Sequence, residues 1–179
     1  MKLLRIYFKK FLLENDFRYF SRLVLNEEVM IMNYGRVFSL EEAKNVYDWF
    51  SEKNKKHIHL GSFKVFQRDS NYFIGFASIL PNDDLTEVEI EYMLLPEHWR
   101  KGYGTEIVMG LLNKAEKVNS IQKVSANTNP NNIGSKKILL NNGFSSVELY
   151  KNYDDNSSVE MFIKEIMCKE GMFCKDPNL

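Results

Sequence analysis

The segment "SLEEAKNVYDWF" has the clearest periodicity in the chain. Leu40, Ala43, Val46, Tyr47 and Phe50 recur at helical spacing. Ser39 precedes them and Glu42 follows three residues later, a capping box that marks the helix start. Upstream, "NDFRYFSRLVLNEEVM" places Phe17, Phe20 and Val24 on one face, and Asn15 or Asp16 can cap it, so the stretch reads as one helix. The first residues, "MKLLRIYFKKFLLEND", are amphipathic and fit either a first strand or a helix.

The pattern then shifts to strands. "GSFKVFQRDSNYFIGFASIL" holds two β-rich runs around "RDSN", a hairpin signature. After the turn "PNDD", "LTEVEIEYMLL" alternates: Glu87, Glu89 and Glu91 point one way, Val88, Ile90 and Tyr92 the other. Pro96 ends that strand. From Thr105, Val108, Leu111, Leu112, Ala115 and Val118 form a helical stripe. "IQKVSANT" reads as a strand, and Asn129-Pro130 marks a turn. "NNIGSKKILLNNG" reads as a helix ended by Gly143, and "FSSVELY" and "SSVEMFIKEI" as two more strands. With no internal repeat and no Pro/Gly/Ser-rich linker, the expectation is one mixed α/β or α+β domain over residues 1–179.

Composition narrows the function. The chain has 24 Lys plus Arg against 24 Asp plus Glu, and this neutrality argues against general nucleic-acid binding, which needs a basic face. No run approaches the ~18–20 apolar residues of a membrane span. Arg5, Lys9 and Lys10 interrupt the N-terminal apolar positions, so neither a leader nor a membrane partner is expected. Cys168 and Cys174 are too few for a disulfide framework, and the expected location is the cytoplasm. His57, His59 and His98 are scattered, and no metal is expected.

Residues 99 to 105 read "WRKGYGT". Gly102 and Gly104 let the backbone turn sharply. The first amides of the following helix have no intrahelical partners, and the helix dipole makes them partly positive. With Arg100 and Lys101, this is a phosphate site or else a tight strand-to-helix turn with solvated cations. The Gly-Lys-Ser/Thr of a Walker loop is missing. A dinucleotide fingerprint would need glycine where Ile107 stands.

"EIEYMLLPEHWRKGYGTEIV" followed by "NPNNIGSKKILLNNGF" resembles the two core motifs of the GNAT acetyltransferases, particularly the RimJ/RimL-like branch. The likeness rests on Glu89, Ile90, Tyr92, Pro96, Trp99, Gly102, Tyr103, Gly104, Asn132, Ser135, Gly143 and Phe144, and spans residues 87–144. It implies a mixed sheet with an N-terminal strand and two helices, antiparallel strands, and a splayed parallel pair that holds acetyl-CoA. It also implies that the pantetheine bonds to the strand edge at Met93, Leu94 and Leu95. The pyrophosphate would lie on the amides of Arg100, Lys101, Gly102, Tyr103, Gly104 and Thr105, with Asn132 and Ser135 as further cofactor contacts.

Acetyl transfer to an amine needs a proton acceptor, a polarised thioester oxygen and a stabilised thiolate. By the resemblance, Glu89 is the expected base, Glu91 the acceptor-side carboxylate, and the amide near Met93 the oxyanion donor. Many relatives carry a tyrosine acid where this chain has Leu139, which leaves Ser135 or water to serve the leaving thiolate. Trp99 stands where many relatives have arginine or glutamine. Residues 82–98 hold Asp83, Asp84, Glu87, Glu89, Glu91 and Glu97 without a lysine or arginine, which suits a cationic acceptor. A polyamine, an aminoglycoside-like amine and a peptide N-terminus all qualify. The alternative is a non-catalytic acyl-CoA-binding module or sensor. Apolar residues late in the chain, Ile166, Met167, Met172 and Phe173, suggest a homodimer or a covered sheet edge.

Overall fold

The computed structural model describes residues 4–152 and 156–166. Seven strands form one sheet among them: β1 (Ile6–Lys10), β2 (Gly61–Gln67), β3 (Phe73–Pro81), β4 (Glu87–Leu94), β5 (Lys123–Thr128), β6 (Ser145–Lys151) and β7 (Ser158–Glu165). Their order is β1-β2-β3-β4-β5-β7-β6. All neighbours run antiparallel except β4 and β5, which are parallel. The N-terminal amphipathic stretch is therefore a strand.

Helices cover both faces, as a sheet carrying a parallel pair requires. α1 (Phe17–Val24), α2 (Glu27–Tyr34) and α3 (Leu40–Lys53) lie on one side, α4 (Tyr103–Ala115) and α5 (Ile133–Asn141) on the other. Alternation along β4 sorts its side chains between the layers. Met93 and Leu95 join the aromatic-rich cluster of Phe11, Phe20, Tyr47, Phe50 and Phe76. Val88 and Ile90 join Ile107, Val108, Leu111 and Leu139 opposite.

Three expectations change. The helix expected over "NDFRYFSRLVLNEEVM" is two helices, because Asn26 leaves the helix at φ −90°, ψ 119° and its side chain caps Val29. Asp16 does not cap α1 with its side chain. Its carboxylate accepts from the amides of Leu12 and Leu13 and pairs with buried Lys64. Burial pushes that carboxyl up, but the Lys64 ammonium and the two amides outweigh it and hold it below the usual range. In α3 the capping box forms as expected, but only Ala43, Tyr47 and Phe50 are buried. Leu40 and Val46 are 52% and 38% exposed.

Asn54, just past α3, ties the layers together from a buried position. It donates to the carbonyls of Phe11 and Ser62 and accepts from the Ser62 amide. Ile166 packs against the core with its amide on the Gln122 carbonyl. Met167, Met172, Phe173, Cys168 and Cys174 lie outside the described residues.

Candidate active site

β4 and β5 pair for only three positions, Glu87↔Lys123, Val88↔Val124 and Glu89↔Ser125. Beyond Glu89, β4 continues against β3, and β5 continues against β7. The two strands part and open a gap between them.

The ladder decides which backbone groups face this gap. The Leu95 amide donates to Ile74 of β3 at 2.9 Å. Antiparallel pairing alternates, so the amides of Met93 and Glu91 also face β3, and those of Tyr92 and Leu94, past the last β5 partner, face the opening. The Ser125 hydroxyl reaching the Val88 carbonyl at 3.5 Å fits this direction. The edge expected at Met93, Leu94 and Leu95 thus keeps Leu94 and gains Tyr92. Met93 and Leu95 are buried, with side chains under the α1–α3 layer and amides directed at β3. Trp99 has its indole N–H on the Leu94 carbonyl at 2.8 Å, which braces the strand end in place of the arginine or glutamine of many relatives.

After β4 the chain makes one 3₁₀ turn, Pro96–His98, and enters the glycine loop. Arg100 and Gly102 both have positive φ, 58° and 83°, and α4 starts at Tyr103, two residues earlier than the pattern from Thr105 suggests. The amides of Tyr103, Gly104 and Thr105 thus form the open end of the helix. Arg100 and Lys101 are exposed at its mouth. Glu106, in the first turn, would oppose an anion there, but Arg5 neutralises it. The Arg5 Nε lies 2.5 Å from Glu106, a second nitrogen donates to the Lys101 carbonyl, and the guanidinium stacks 4.6 Å over the Tyr103 ring. Sequence reading missed Arg5 because it comes from β1's leading edge, far away in the chain.

The two glycines differ in purpose. A Cβ at Gly102 would meet only the Arg5 guanidinium at 3.3 Å, so its positive φ is what calls for glycine. A Cβ at Gly104 would lie 2.7 Å from the Ile138 side chain and 3.7 Å from the Tyr92 ring. Gly104 therefore lets α4 approach α5 and β4, a packing demand beyond the sharp turn expected of it.

The glutamate face of β4 is divided. Glu87 is paired with Lys123 of β5. Glu89 is exposed and accepts from the Asn127 amide at 3.0 Å. Glu91 accepts from the Tyr34 hydroxyl at 2.5 Å. Burial, seconded by nearby Glu89, pushes the Glu91 carboxyl up, and the Tyr34 hydrogen bond only partly offsets this. Tyr34 is itself held well above the usual phenol range by burial and by Glu91, so it remains the donor. Sequence reading missed Tyr34, which reaches the site from the C-terminal end of α2.

Glu89 and Glu91 line one cavity together with Tyr92, Asn127, Ser135, Leu139 and Tyr150. The Tyr92 and Ser135 hydroxyls are 3.0 Å apart, and burial pushes Tyr92 up to about 12, so it keeps its proton at neutral pH. Either hydroxyl can donate in this pair; in the arrangement with Tyr92 as donor, the Ser135 proton is left to point into the cavity. Asn132 caps α5 by accepting from the Ser135 amide, which fixes the serine's place. Leu139 is 1% exposed and fills core space beside the cavity.

These packing roles have a direct stability test. In urea titrations, Gly104→Val should cost roughly 1–3 kcal/mol from overpacking against Ile138 and Tyr92, and Gly102→Ala about 1 kcal/mol from its left-handed backbone. Wild-type stability in Gly104→Val would return that glycine to a purely ligand-facing role.

The model of a family described as acetyltransferase (GNAT) domain matches residues 5–145. The uncharacterized N-acetyltransferase YoaA of Bacillus subtilis is 24% identical over 117 residues, a match spanning 64% of this chain and 65% of YoaA. In fold, the chain is similar to an acetyl transferase from Salmonella typhimurium that modifies the N-terminal serine of ribosomal protein L7/L12. That comparison has a TM-score of 0.75 and 15% identity and covers 91% of this chain and 96% of the other. It is also similar to spermidine N-acetyltransferase from Vibrio cholerae, with TM-score 0.73, 15% identity and coverage of 90% and 95%. The family match over most of the chain agrees with the splayed parallel pair and the glycine loop at a helix start: the chain belongs to the GNAT acetyltransferase family.

Proposed function

We propose that this protein transfers an acetyl group from acetyl-CoA directly to a primary amine. The observation that carries the reading is the open β4 edge, where the Tyr92 and Leu94 amides face the gap directly before the helix start at Tyr103. The pantetheine arm is read onto that edge, and the pyrophosphate onto the amides of Gly102 to Thr105 with Arg100 and Lys101 beside it. The Vibrio cholerae relative holds CoA and spermine in its structure, which supports a site of this kind.

In the proposed step, the bound ammonium first passes a proton to a carboxylate, and the freed amine nitrogen attacks the thioester carbon. The new C–N bond forms, the C–S bond breaks, and the proton shed by the new amide nitrogen balances the one taken up by the leaving thiolate. Geometry favours Glu91 over the sequence-based candidate Glu89 for the first proton. Glu91 is the more desolvated of the two and has its basicity raised, whereas Glu89 is exposed and acts as the charge that attracts an ammonium ion. The carbonyl oxygen is read onto the Tyr92 amide in place of the Met93 amide. The leaving sulfur is read onto the Ser135 hydroxyl, oriented by Tyr92, which compensates for Leu139.

Pre-steady-state kinetics across pH test these roles. Glu91→Gln should lower acetyl transfer by roughly 10²–10⁴ and remove the acidic limb of the profile. Removing the negative neighbour in Glu89→Gln should lower the Glu91 pKa, moving the acidic limb to lower pH, and raise KM for the amine. Tyr92→Phe should cost about tenfold, ~1.4 kcal/mol, with amine KM unchanged. Loss of the acidic limb in Glu89→Gln but not in Glu91→Gln would reverse the assignment.

A cytoplasmic location and a homodimer belong to the same proposal. Among the described residues no helix is long and apolar enough to cross a membrane. Among the described residues β6 is an edge strand of the sheet and leaves Val147 and Leu149 54% and 68% exposed, which supports burial against a second copy. Sedimentation should give a dimer at micromolar concentration that Leu149→Lys disrupts; a wild-type monomer at high micromolar concentration would exclude it.

A further inference from the structure

The apolar residues of α3 that the core leaves out border a second cleft, which shares Tyr34, Glu89 and Glu91 with the cavity described above. Its floor is set by strand register. Leu80 pairs with Glu89 and Ser78 with Glu91, and cross-strand partners share a face. A carboxylate row thus runs beside a row of one apolar and one hydroxyl side chain. Val46 and Trp49, three residues apart on α3, stand over it at 38% and 52% exposure. They neighbour the buried stripe of Ala43, Tyr47 and Phe50 without belonging to it.

Charge across this cleft is one-sided. The carboxylates Glu89 and Glu91 lie where the cleft joins the cavity, and among the described residues no other carboxylate lines it. Beyond Trp49 on α3, the Lys53 ammonium lies 4.2 Å from the indole ring, and Glu52 is already paired with Lys55. An ammonium placed between the glutamates is therefore neutralised. A second ammonium farther along would find apolar walls and a cation at the rim. Between Ser78 and Glu91 the floor has no open ladder, because Ser78 is paired on both sides, with Ser62 of β2 and Glu91 of β4. A peptide backbone thus has no strand edge to join at that point.

We infer that the acceptor is a small monoamine with an apolar, preferably aromatic, body, and that Trp49 sets this specificity. The inference rests on the acetyltransferase reading and narrows its substrate. The amine enters with its ammonium between Glu89 and Glu91, and its body lies on Leu80 and Val46 under the Trp49 ring. The polyamines that sequence reading admitted are disfavoured because the described lining offers no carboxylate beyond Glu89 and Glu91, and peptide N-termini because the ladder at Ser78 is closed.

The test compares phenethylamine, ethylamine, spermidine and a leucyl tripeptide on the full chain. Affinity is measured by calorimetry with CoA present, and turnover by thiol release from acetyl-CoA. Phenethylamine should bind at least tenfold more tightly than spermidine, ethylamine or the peptide. Trp49→Ala should weaken phenethylamine about tenfold through KM, with kcat and the ethylamine KM unchanged, and Trp49→Phe should restore most of the loss. Tighter binding of spermidine or the peptide would overturn the inference. So would an unchanged phenethylamine KM in a folded Trp49→Ala variant, or the absence of amine binding. Trp49-dependent binding without thiol release would keep the ligand class and overturn the acetyltransferase reading instead. Thiol release with spermidine preferred would do the reverse.

Discussion

Everything at the site depends on β4 and β5 ceasing to pair after Glu89. Backbone amides and carbonyls must find partners when buried. β4 satisfies one side with β3, and β5 satisfies one side with β7. The remaining side of β4, at Tyr92 and Leu94, is a short row of donors and acceptors inside an otherwise continuous sheet. Had the parallel ladder run on to Leu94, the gap would close and the start of α4 would face a sealed surface. The same parting lets Tyr92 reach Ser135 on α5, and Gly104 permits the close helix approach this requires.

Charge is distributed to match. The cationic side of the gap is the loop of Arg100 and Lys101, where Arg5 cancels the one carboxylate of the helix's first turn. The acidic side is β4's other face, where Glu87 is already paired and Glu89 and Glu91 remain beside the cavity. In the proposed reaction, this arrangement would bring an anionic cofactor and a cationic acceptor from opposite sides to the strand edge. Tyr34 and Tyr92 both have phenols held in the protonated form by burial; Tyr34 donates to Glu91, and Tyr92 shares a hydrogen bond with the Ser135 hydroxyl.

Features carried by local spacing were legible in the sequence. The capping box of Ser39 and Glu42, the alternation of Glu87, Glu89 and Glu91, and the glycine turn before α4 all appear where residue order places them. Features that depend on distant segments were not. Nothing near Arg5 in the chain points to Glu106, and nothing near Tyr34 points to Glu91. Strand direction also escaped a reading by residue range. Residue order places Met93 to Leu95 at the end of β4, but only the ladder with β3 shows that Met93 and Leu95 turn away while Leu94 and Tyr92 face the gap. Val46 and Trp49 show the limit of periodicity, since apolar spacing predicts a stripe but does not show how wide the neighbouring layer is.

The central claim is that the open edge of β4 at Tyr92 and Leu94 holds the cofactor. Residue-resolved amide hydrogen exchange, with and without saturating CoA, tests it directly. The account predicts marked slowing at the Tyr92 and Leu94 amides and at those of Gly102 to Thr105, with Met93 and Leu95 unchanged because β3 already protects them. Unchanged exchange at Tyr92 and Leu94 in the CoA-saturated protein would contradict it.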